Sequence, residues 1–323
     1  MYSAVQPVLT PATAYLPLPA LDLLVVLLLL AAGWAAWRRR RQARCASTVA
    51  RVVFTTLAGG WLLFLASWGW HYQVPTIEAR LALVPSDFSA ERAEAFARAT
   101  VEQLNALHDP AHAAGWPERS QLPEVLAPRL ARVLPTLGIR SAPAVVVPRR
   151  TMFDWYFRWA GIDGMTNPFG LEVLVNSRVL PVELPALAAH EYAHLAGFAD
   201  ESDASIVAWL ACRGGGPNLQ YSAALAVLPH VLQGLPPDVR RRLAEGIGPG
   251  PRQDLRAIAA RVAEQHPWVN AFAWRAYDGF LKANRVDEGV ARYDAVARVL
   301  IAAGDPVTGT LRRSPPAWPL PRR

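Results

Sequence analysis

The amino-acid sequence predicts a mainly α protein with a small β-sheet, an α+β class, behind a two-helix membrane anchor. Two apolar runs near the N-terminus, with an arginine-rich segment between them, predict the anchor. Apolar residues at helical spacing over most of the remaining chain, with two short β-branched runs, predict the domain. Of the 323 residues, 52% are hydrophobic and 18% are charged, which excludes a disordered chain; the two cysteines, Cys45 and Cys212, exclude a disulfide scaffold.

The apolar runs cover residues 18–37 and 52–70, and a helix of about 20 residues crosses a bilayer. The linker between them, residues 38–51, carries six Arg, whereas residues 1–17 carry no Lys or Arg. Because positively charged loops stay in the cytoplasm, the linker is expected there. The N-terminus and the main domain are then expected on the outer face of a bacterial inner membrane, in a multi-pass protein that contacts the lipid bilayer.

The formal net charge is +7, and residues 1–70 supply +5 of it through six Arg and Asp22, so residues 71–323 carry only +2. A nucleic-acid-binding surface needs positive charge spread over the folded domain. We therefore expect no nucleic-acid partner.

The chain divides into an anchor over residues 1–72, an outer domain over residues 73–312 and a Pro-rich tail over residues 313–323, expected to be disordered. In the outer domain a helix is expected over Ser89–His108, capped by Ser89, with Pro110 in the loop that follows. Further helices are expected over residues 124–137, 183–198, 202–212, 219–234, 237–245, 252–265 and 285–303, and strands over residues 142–148 and 171–176.

The chemistry is concentrated in the segment HEYAHLAGFADE, residues 190–201. His190 and His194 are four residues apart, so on a helix both imidazoles face the same side and reach one metal ion. Glu191 is then placed to take a proton from a water bound to that metal. This is the HExxH pattern of zinc hydrolases, and it predicts one zinc ion per chain. The flanking residues are apolar, so the helix is buried and its three polar residues need a reason to be there.

A zinc site of this kind needs a third protein ligand, and Asp200, Glu201 and Asp203 are the candidates. Glu201 is the preferred ligand, because ESDAS resembles the ExxAD element of gluzincins, in which the residue four positions later supports a ligand. Ser205 would take that supporting place. Asp200 is the alternative, since HExxHxxGxxD is a spacing similar to that of some metzincins. Whichever of the two is not a ligand would simply cap the next helix.

The sequence as a whole resembles bacterial membrane-anchored, zincin-like proteins catalogued as a domain of unknown function. The resemblance covers nearly the whole chain and is carried by GIDGMTNPFGLEVLVN (161–176), HEYAHLAGFADESDAS (190–205), LQYSAAL (219–225) and YDGFLKANRVDEGVARYDAVARVL (277–300). It implies two N-terminal spans and an outer, gluzincin-like metallopeptidase domain. Where the family has Thr-Gly, this chain has Gly170-Leu171, and where the family has Glu-Ala-Asn, it has Asp203-Ala204-Ser205, so the residues that support the ligands are altered.

Three other residues are weaker candidates for the site. Glu172 and Asn176 flank the strand predicted over residues 171–176, which could pair with an extended substrate and line the cleft; an ordinary amphipathic strand is the alternative. Tyr221 could donate a hydrogen bond to the oxyanion, although a core tyrosine fits as well.

The sequence therefore predicts a membrane-anchored zinc metallopeptidase acting on a peptide or protein substrate of the cell envelope. His190, His194 and Glu201 would bind zinc, and Glu191 would be the general base. Two alternatives stay open: a catalytically inactive binding or scaffold protein that keeps the zincin fold, and a structural membrane module in which HExxH is accidental.

Overall fold

A computed structural model describes residues 2–40, 46–83, 88–283 and 294–312. The fold is mainly helical with small antiparallel strand pairs, so the prediction of a mainly α domain with a small β-sheet is confirmed. The predicted Pro-rich tail and residues 41–45 of the arginine-rich linker lie outside the described residues.

The helices follow one another along the chain, with short loops between most of them. They are α1 (Tyr2–Ala14), α2 (Ala20–Arg40), α3 (Ala46–Ser67), α4 (Ile77–Leu81), α5 (Ala90–Ala114), α6 (Leu122–Thr136), α7 (Asp154–Ala160), α8 (Leu184–Leu195), α9 (Glu201–Arg213), α10 (Pro217–Gln233), α11 (Pro237–Glu245), α12 (Pro249–Val262), α13 (Pro267–Ala283) and α14 (Asp294–Ala303). The strands are β1 (Gly164–Asn167), β2 (Glu172–Val175), β3 (Gly304–Asp305) and β4 (Thr310–Leu311).

The centre of the core is α9, which α6, α8, α10 and α14 surround. Apolar side chains cover nearly every face of α9, and its large residue Trp209 is 2% exposed. Helix α6 contributes four leucines at intervals of four residues, all fully buried: Leu122, Leu126, Leu130 and Leu134. That spacing puts them on one face of the helix, which is why α6 packs along the core although Pro128 lies within it.

The first sheet pairs β1 with β2 in antiparallel register, from Gly164 opposite Val175 to Asn167 opposite Glu172. On the other side of β2, the described part of the chain contributes a single bridge, from Arg149 to Leu174. Every residue of β2 is buried, whereas β1 is half-buried over its first three residues. Strand β1 therefore forms the more accessible edge of the sheet.

The N-terminal helix α1 was not predicted, because Pro7, Pro11 and several Thr argue against a helix. Its buried polar residues fix it by tertiary hydrogen bonds: Gln6 bonds to the backbone of Ala144, and Thr10 donates to the carbonyl of Leu171 over 2.7 Å. Tertiary contacts thus outweigh the low helix propensity.

The two predicted membrane spans fall on α2 and α3. Among the residues that the structure describes, no helix is both long enough and apolar enough to cross a membrane. The start of α2 is held by protein: Asp22 is fully buried, with its carboxylate 2.5 Å from the Thr151 hydroxyl and 2.8 Å from the Met152 backbone nitrogen. Residues of the loop before α7 therefore fix the start of α2.

Several predicted boundaries were also wrong. Helix α5 does not end at His108 but continues through Pro110 to Ala114. The segment 142–148 forms no strand, and β1, α7 and α13 were not predicted. Because β1 reads Gly-Met-Thr-Asn, with two residues that strands disfavour, its composition gave no signal.

Candidate metal centre

Two helices joined by a tight turn carry the predicted zinc ligands. Helix α8 ends at Leu195, and α9 begins at Glu201. Between them Gly197 has a φ of +99°, a left-handed conformation that side chains disfavour, and a Cβ there would lie 3.1 Å from the His71 ring. The side chain of Asp200 accepts hydrogen bonds from the backbone N–H groups of Ser202 and Asp203 and so caps α9. This turn brings Glu201 back toward the face of α8.

The ligand atoms of His190, His194 and Glu201 converge on one point. The two Nε2 atoms lie 3.1 Å apart, and Oε2 of Glu201 lies 3.0 Å from Nε2 of His190 and 3.6 Å from that of His194. A zinc ion bonded to three ligands in tetrahedral geometry at about 2.0–2.2 Å would hold them about 3.3–3.6 Å apart. The donor set and its spacing therefore fit zinc.

Each imidazole is oriented by a contact to its other ring nitrogen. Nδ1 of His194 lies 2.6 Å from the carbonyl oxygen of Phe198, which can only accept, so Nδ1 carries the proton. Its Nε2 is then free to bind a metal when the ring is neutral. Nδ1 of His190 lies 3.2 Å from Oγ of Ser205, so this hydroxyl occupies the supporting place.

The carboxylate and the imidazoles shift one another's pKa values. Burial by itself raises the pKa of Glu201, but His194 and His190 lower it by more, and it falls well below its usual range. Burial lowers the pKa of His194, but the charge and hydrogen bond of Glu201, the charge of Glu191 and the Phe198 carbonyl together raise it to about 9. The Glu201 carboxylate is thus ionised beside the two imidazoles, as a metal ligand must be.

Glu191 lies on α8 with its carboxylate against β1. Its Oε2 accepts a hydrogen bond from the Thr166 hydroxyl over 2.8 Å. A Cβ on Gly164 would lie only 2.6 Å from Oε1, so the strand approaches this closely only because a glycine is there. Burial raises the pKa of Glu191, and the two histidines oppose this only in part. A carboxylate with a raised pKa is suited to general base catalysis near neutral pH.

The three ligands and Glu191 line a cavity of about 800 Å³. Its walls are mostly apolar and come from α3, α7, α8, α9, α10, α12 and α13, with β1 along one side. The aromatic residues among them are Phe64, Trp68, Tyr72, Tyr156, Trp209 and Trp274. The arrangement can hold a metal, a base and an apolar ligand next to one another.

The structure places three weaker candidates outside this cavity. The carboxylate of Glu172 accepts hydrogen bonds from the backbone N–H groups of Ala20 and Leu21 and so caps α2. The side-chain amide of Asn176 donates to the Ile162 carbonyl. The Tyr221 hydroxyl donates to Asp254 over 2.7 Å. All three residues have a structural partner, and the edge strand at the cavity is β1 rather than the segment 171–176.

The other two candidate ligands also lie elsewhere. Asp200 caps α9, as described above. Asp203 is 3% exposed, and its two carboxylate oxygens lie 2.9 and 3.1 Å from the backbone nitrogen of Ile77 at the start of α4. Of the three acidic residues, the structure brings Glu201 to the histidines.

Sequence reasoning missed Thr166 and Tyr72. Thr166 belongs to the unpredicted strand β1. Tyr72 lines the cavity, and burial together with the nearby charge of Glu201 raises the pKa of its hydroxyl. Tyr72 lies about 120 residues before the HExxH segment, so sequence spacing could not connect Tyr72 with the zinc ligands.

Comparison with known proteins adds a family but no described activity. Neither the curated proteins nor the solved structures give a significant match to this chain. The sequence model of one family, described as "Protein of unknown function (DUF3810)", matches residues 1–301 of the chain. The match covers most of the 323 residues, and the chain therefore belongs to the DUF3810 family.

Proposed function

We propose that the protein is a zinc-dependent metallopeptidase with a gluzincin-like site. The observation that carries the proposal is the convergence of His190, His194 and Glu201, whose ligand atoms lie 3.0 to 3.6 Å apart. This spacing matches three corners of a zinc tetrahedron, and all three residues line the cavity that a substrate would enter. Bound there, zinc would lower the pKa of a water molecule and polarise a carbonyl group.

Glu191 would be the general base. Its carboxylate takes a proton from the attacking water and passes it to the leaving amine. The Thr166 hydroxyl holds Oε2 and keeps the carboxylate aimed along β1. Tyr72, rather than Tyr221, would donate a hydrogen bond to the oxyanion, because Tyr72 lines the cavity and lies close enough to Glu201 to sense its charge.

The proposed substrate is an extended peptide with bulky apolar side chains. Strand β1 offers its outer edge along the cavity, so the main chain of a peptide can pair with it as an added strand. The apolar walls would then accept alternate side chains of that peptide. Trp68, Tyr156 and Leu187 are suited to large aliphatic or aromatic groups.

We further propose that α2 and α3 anchor the protein in a bacterial inner membrane, with the cavity on the outer side. Support comes from the sequence and from the exposed apolar side chains of both helices. These are Leu27, Leu28, Leu29, Leu30, Trp34 and Trp37 on α2 and Phe54, Trp61, Leu62, Leu63 and Leu65 on α3. Such a large exposed apolar surface is typical of contact with a membrane or a partner.

An exposed aromatic surface on α7 and α13 supports a site near the bilayer. Trp155, Trp159, Trp268 and Phe272 are 45 to 69% exposed, and tryptophans favour the membrane interface. Helices α7 and α13 line the same cavity as Phe64 and Trp68 at the end of α3. A substrate segment close to the membrane surface would thus have a short path to the metal centre.

The test is cleavage of a library of fluorogenic peptides by the full chain in detergent. We expect cleavage next to bulky apolar residues, its loss in Glu191→Gln, and wild-type activity in Glu245→Gln, a matched change at an exposed position. Both variants should keep their metal. Cleavage that is unchanged in Glu191→Gln would contradict the proposal. No cleavage by a zinc-loaded wild-type protein would favour the binding or scaffold alternative, to which the neutral Ser205 beside His190 lends some support.

A further inference from the structure

We propose a second site for a divalent cation, formed by His108, His112 and Asp254. Because α5 continues through Pro110, His108 and His112 are one turn apart on the same helix, and their ring centroids lie 4.5 Å apart. Asp254 reaches them from α12. The site uses none of the residues of the proposed zinc centre and does not line its cavity.

The ligand atoms have the spacing that a metal requires. Oδ2 of Asp254 lies 3.0 Å from Nε2 of His112 and 3.8 Å from Nε2 of His108. All three ligand atoms lie within 4.8 Å of one another. Since tetrahedral zinc holds its ligands about 3.3–3.6 Å apart, small side-chain adjustments suffice to bind it.

Neighbouring side chains orient two of the three ligands, His108 on α5 and Asp254 on α12. Oδ1 of Asp109 lies 2.6 Å from Nδ1 of His108, so this carboxylate fixes the proton on Nδ1 and leaves Nε2 to the metal. The Tyr221 hydroxyl donates to Oδ2 of Asp254 over 2.7 Å. Metal-binding histidines and carboxylates commonly have such supporting contacts.

Solvent reaches this cluster. The side chains of Asp254, His108 and His112 are 13, 21 and 41% exposed, so water can complete the coordination of a cation. The ligands join α5 to α12, and Tyr221 ties α10 to the same point. A cation here would act as a clip that stabilises the packing of three helices rather than as part of the reaction.

Zinc titration of the full chain tests this site, with the other site removed. We expect the His190→Ala/His194→Ala variant to retain one zinc per chain, measured by elemental mass spectrometry after gel filtration. Adding Asp254→Asn should abolish it, because the amide keeps the hydrogen bond from Tyr221 but removes the charge. Adding Asp238→Asn, a matched change at an exposed position on α11, should leave one zinc.

Thermal unfolding gives an independent readout. Excess zinc should raise the Tm of the His190→Ala/His194→Ala variant by about 3 °C or more and should not change it once Asp254→Asn is added. Without zinc, the His190→Ala/His194→Ala variant should unfold at a similar temperature with and without Asp254→Asn. If Asp254→Asn proves unstable, His112→Gln replaces it. No zinc in the His190→Ala/His194→Ala variant, or zinc that survives both Asp254→Asn and His112→Gln, would overturn the proposal.

Discussion

The hydroxyl of Thr166 lies 2.8 Å from Oε2 of Glu191 and 3.0 Å from the backbone carbonyl of the same residue. This contact joins β1 to α8 and aims the proposed base. We expect Thr166→Val, which keeps the shape of the side chain but removes the hydroxyl, to lower kcat about tenfold with little change in KM. Steady-state kinetics on the best library peptide measures this. Thr166→Ser should restore most of kcat, and an equal loss in Thr166→Ser would contradict a role for the hydroxyl.

The three acidic residues after the HExxH segment should separate by function. Glu201→Gln should lose most of the zinc bound with His190 and His194. Asp200→Ala and Asp203→Ala should keep the zinc but lower the free energy of unfolding. For Asp200→Ala the decrease should be about 1 kcal/mol, because α9 loses its cap. For Asp203→Ala the decrease in the free energy of unfolding should be about 1–3 kcal/mol, since the Ile77 N–H stays buried without its acceptor. Zinc content and urea unfolding measure the two effects. Both are measured in the Asp254→Asn background, which removes the second proposed cation site. Loss of zinc only in Asp200→Ala would favour Asp200 as the third ligand.

Ser205 tests how strongly a supporting contact controls metal affinity. We expect Ser205→Ala to weaken zinc binding at this centre about tenfold, because Nδ1 of His190 loses its partner over 3.2 Å. Ser205→Asp should bind zinc more tightly than the wild type, since a carboxylate makes the imidazole a stronger ligand. Competition with a zinc chelator gives the affinities. Equal affinities in all three proteins would show that the contact does not support the ligand.

The sequence predicted which three side chains come together, because the determinants of their positions are local. The HExxH residues lie on a helix expected over residues 183–198 and found over Leu184–Leu195, and Glu201 begins the next helix. The long-range partners were not predictable, since Thr166 and Tyr72 reach the centre only through tertiary packing. Tyr221 was misplaced for the same reason: its helix is buried as expected, but its hydroxyl points to Asp254. The sequence did not place His108 and His112 on one helix, because Pro110 was expected in a loop after His108.

Gly197 should be needed for the turn between α8 and α9. Its φ of +99° and its closeness to His71 leave little room for a side chain. We expect Gly197→Ala to lower the free energy of unfolding by about 1–3 kcal/mol and to weaken zinc binding by displacing Glu201. Gly234→Ala is the matched control, because Gly234 has a φ of −75° and open space around its Cα. Equal stability of the two variants in urea unfolding would contradict this account of the turn.

The aromatic surface on α7 should matter only for substrates held at a membrane. Trp155 and Trp159 pack edge to face, with ring centroids 5.3 Å apart, and both are nearly half exposed. We expect Trp155→Ser/Trp159→Ser to slow cleavage of a peptide tethered to vesicles by about tenfold and to leave a short free peptide unaffected. Parallel assays on the two substrates measure the difference. If the variant cleaves the tethered peptide as fast as the wild type does, this surface has no role at the membrane.

The central claim is that His190, His194 and Glu201 hold one zinc ion together. Anomalous diffraction at the zinc edge from crystals of the zinc-loaded full chain tests it most directly. We predict an anomalous peak about 2.0–2.2 Å from Nε2 of His190, Nε2 of His194 and Oε2 of Glu201. A fully zinc-loaded crystal with no peak between these three atoms would contradict the metal centre and, with it, the proposed peptidase.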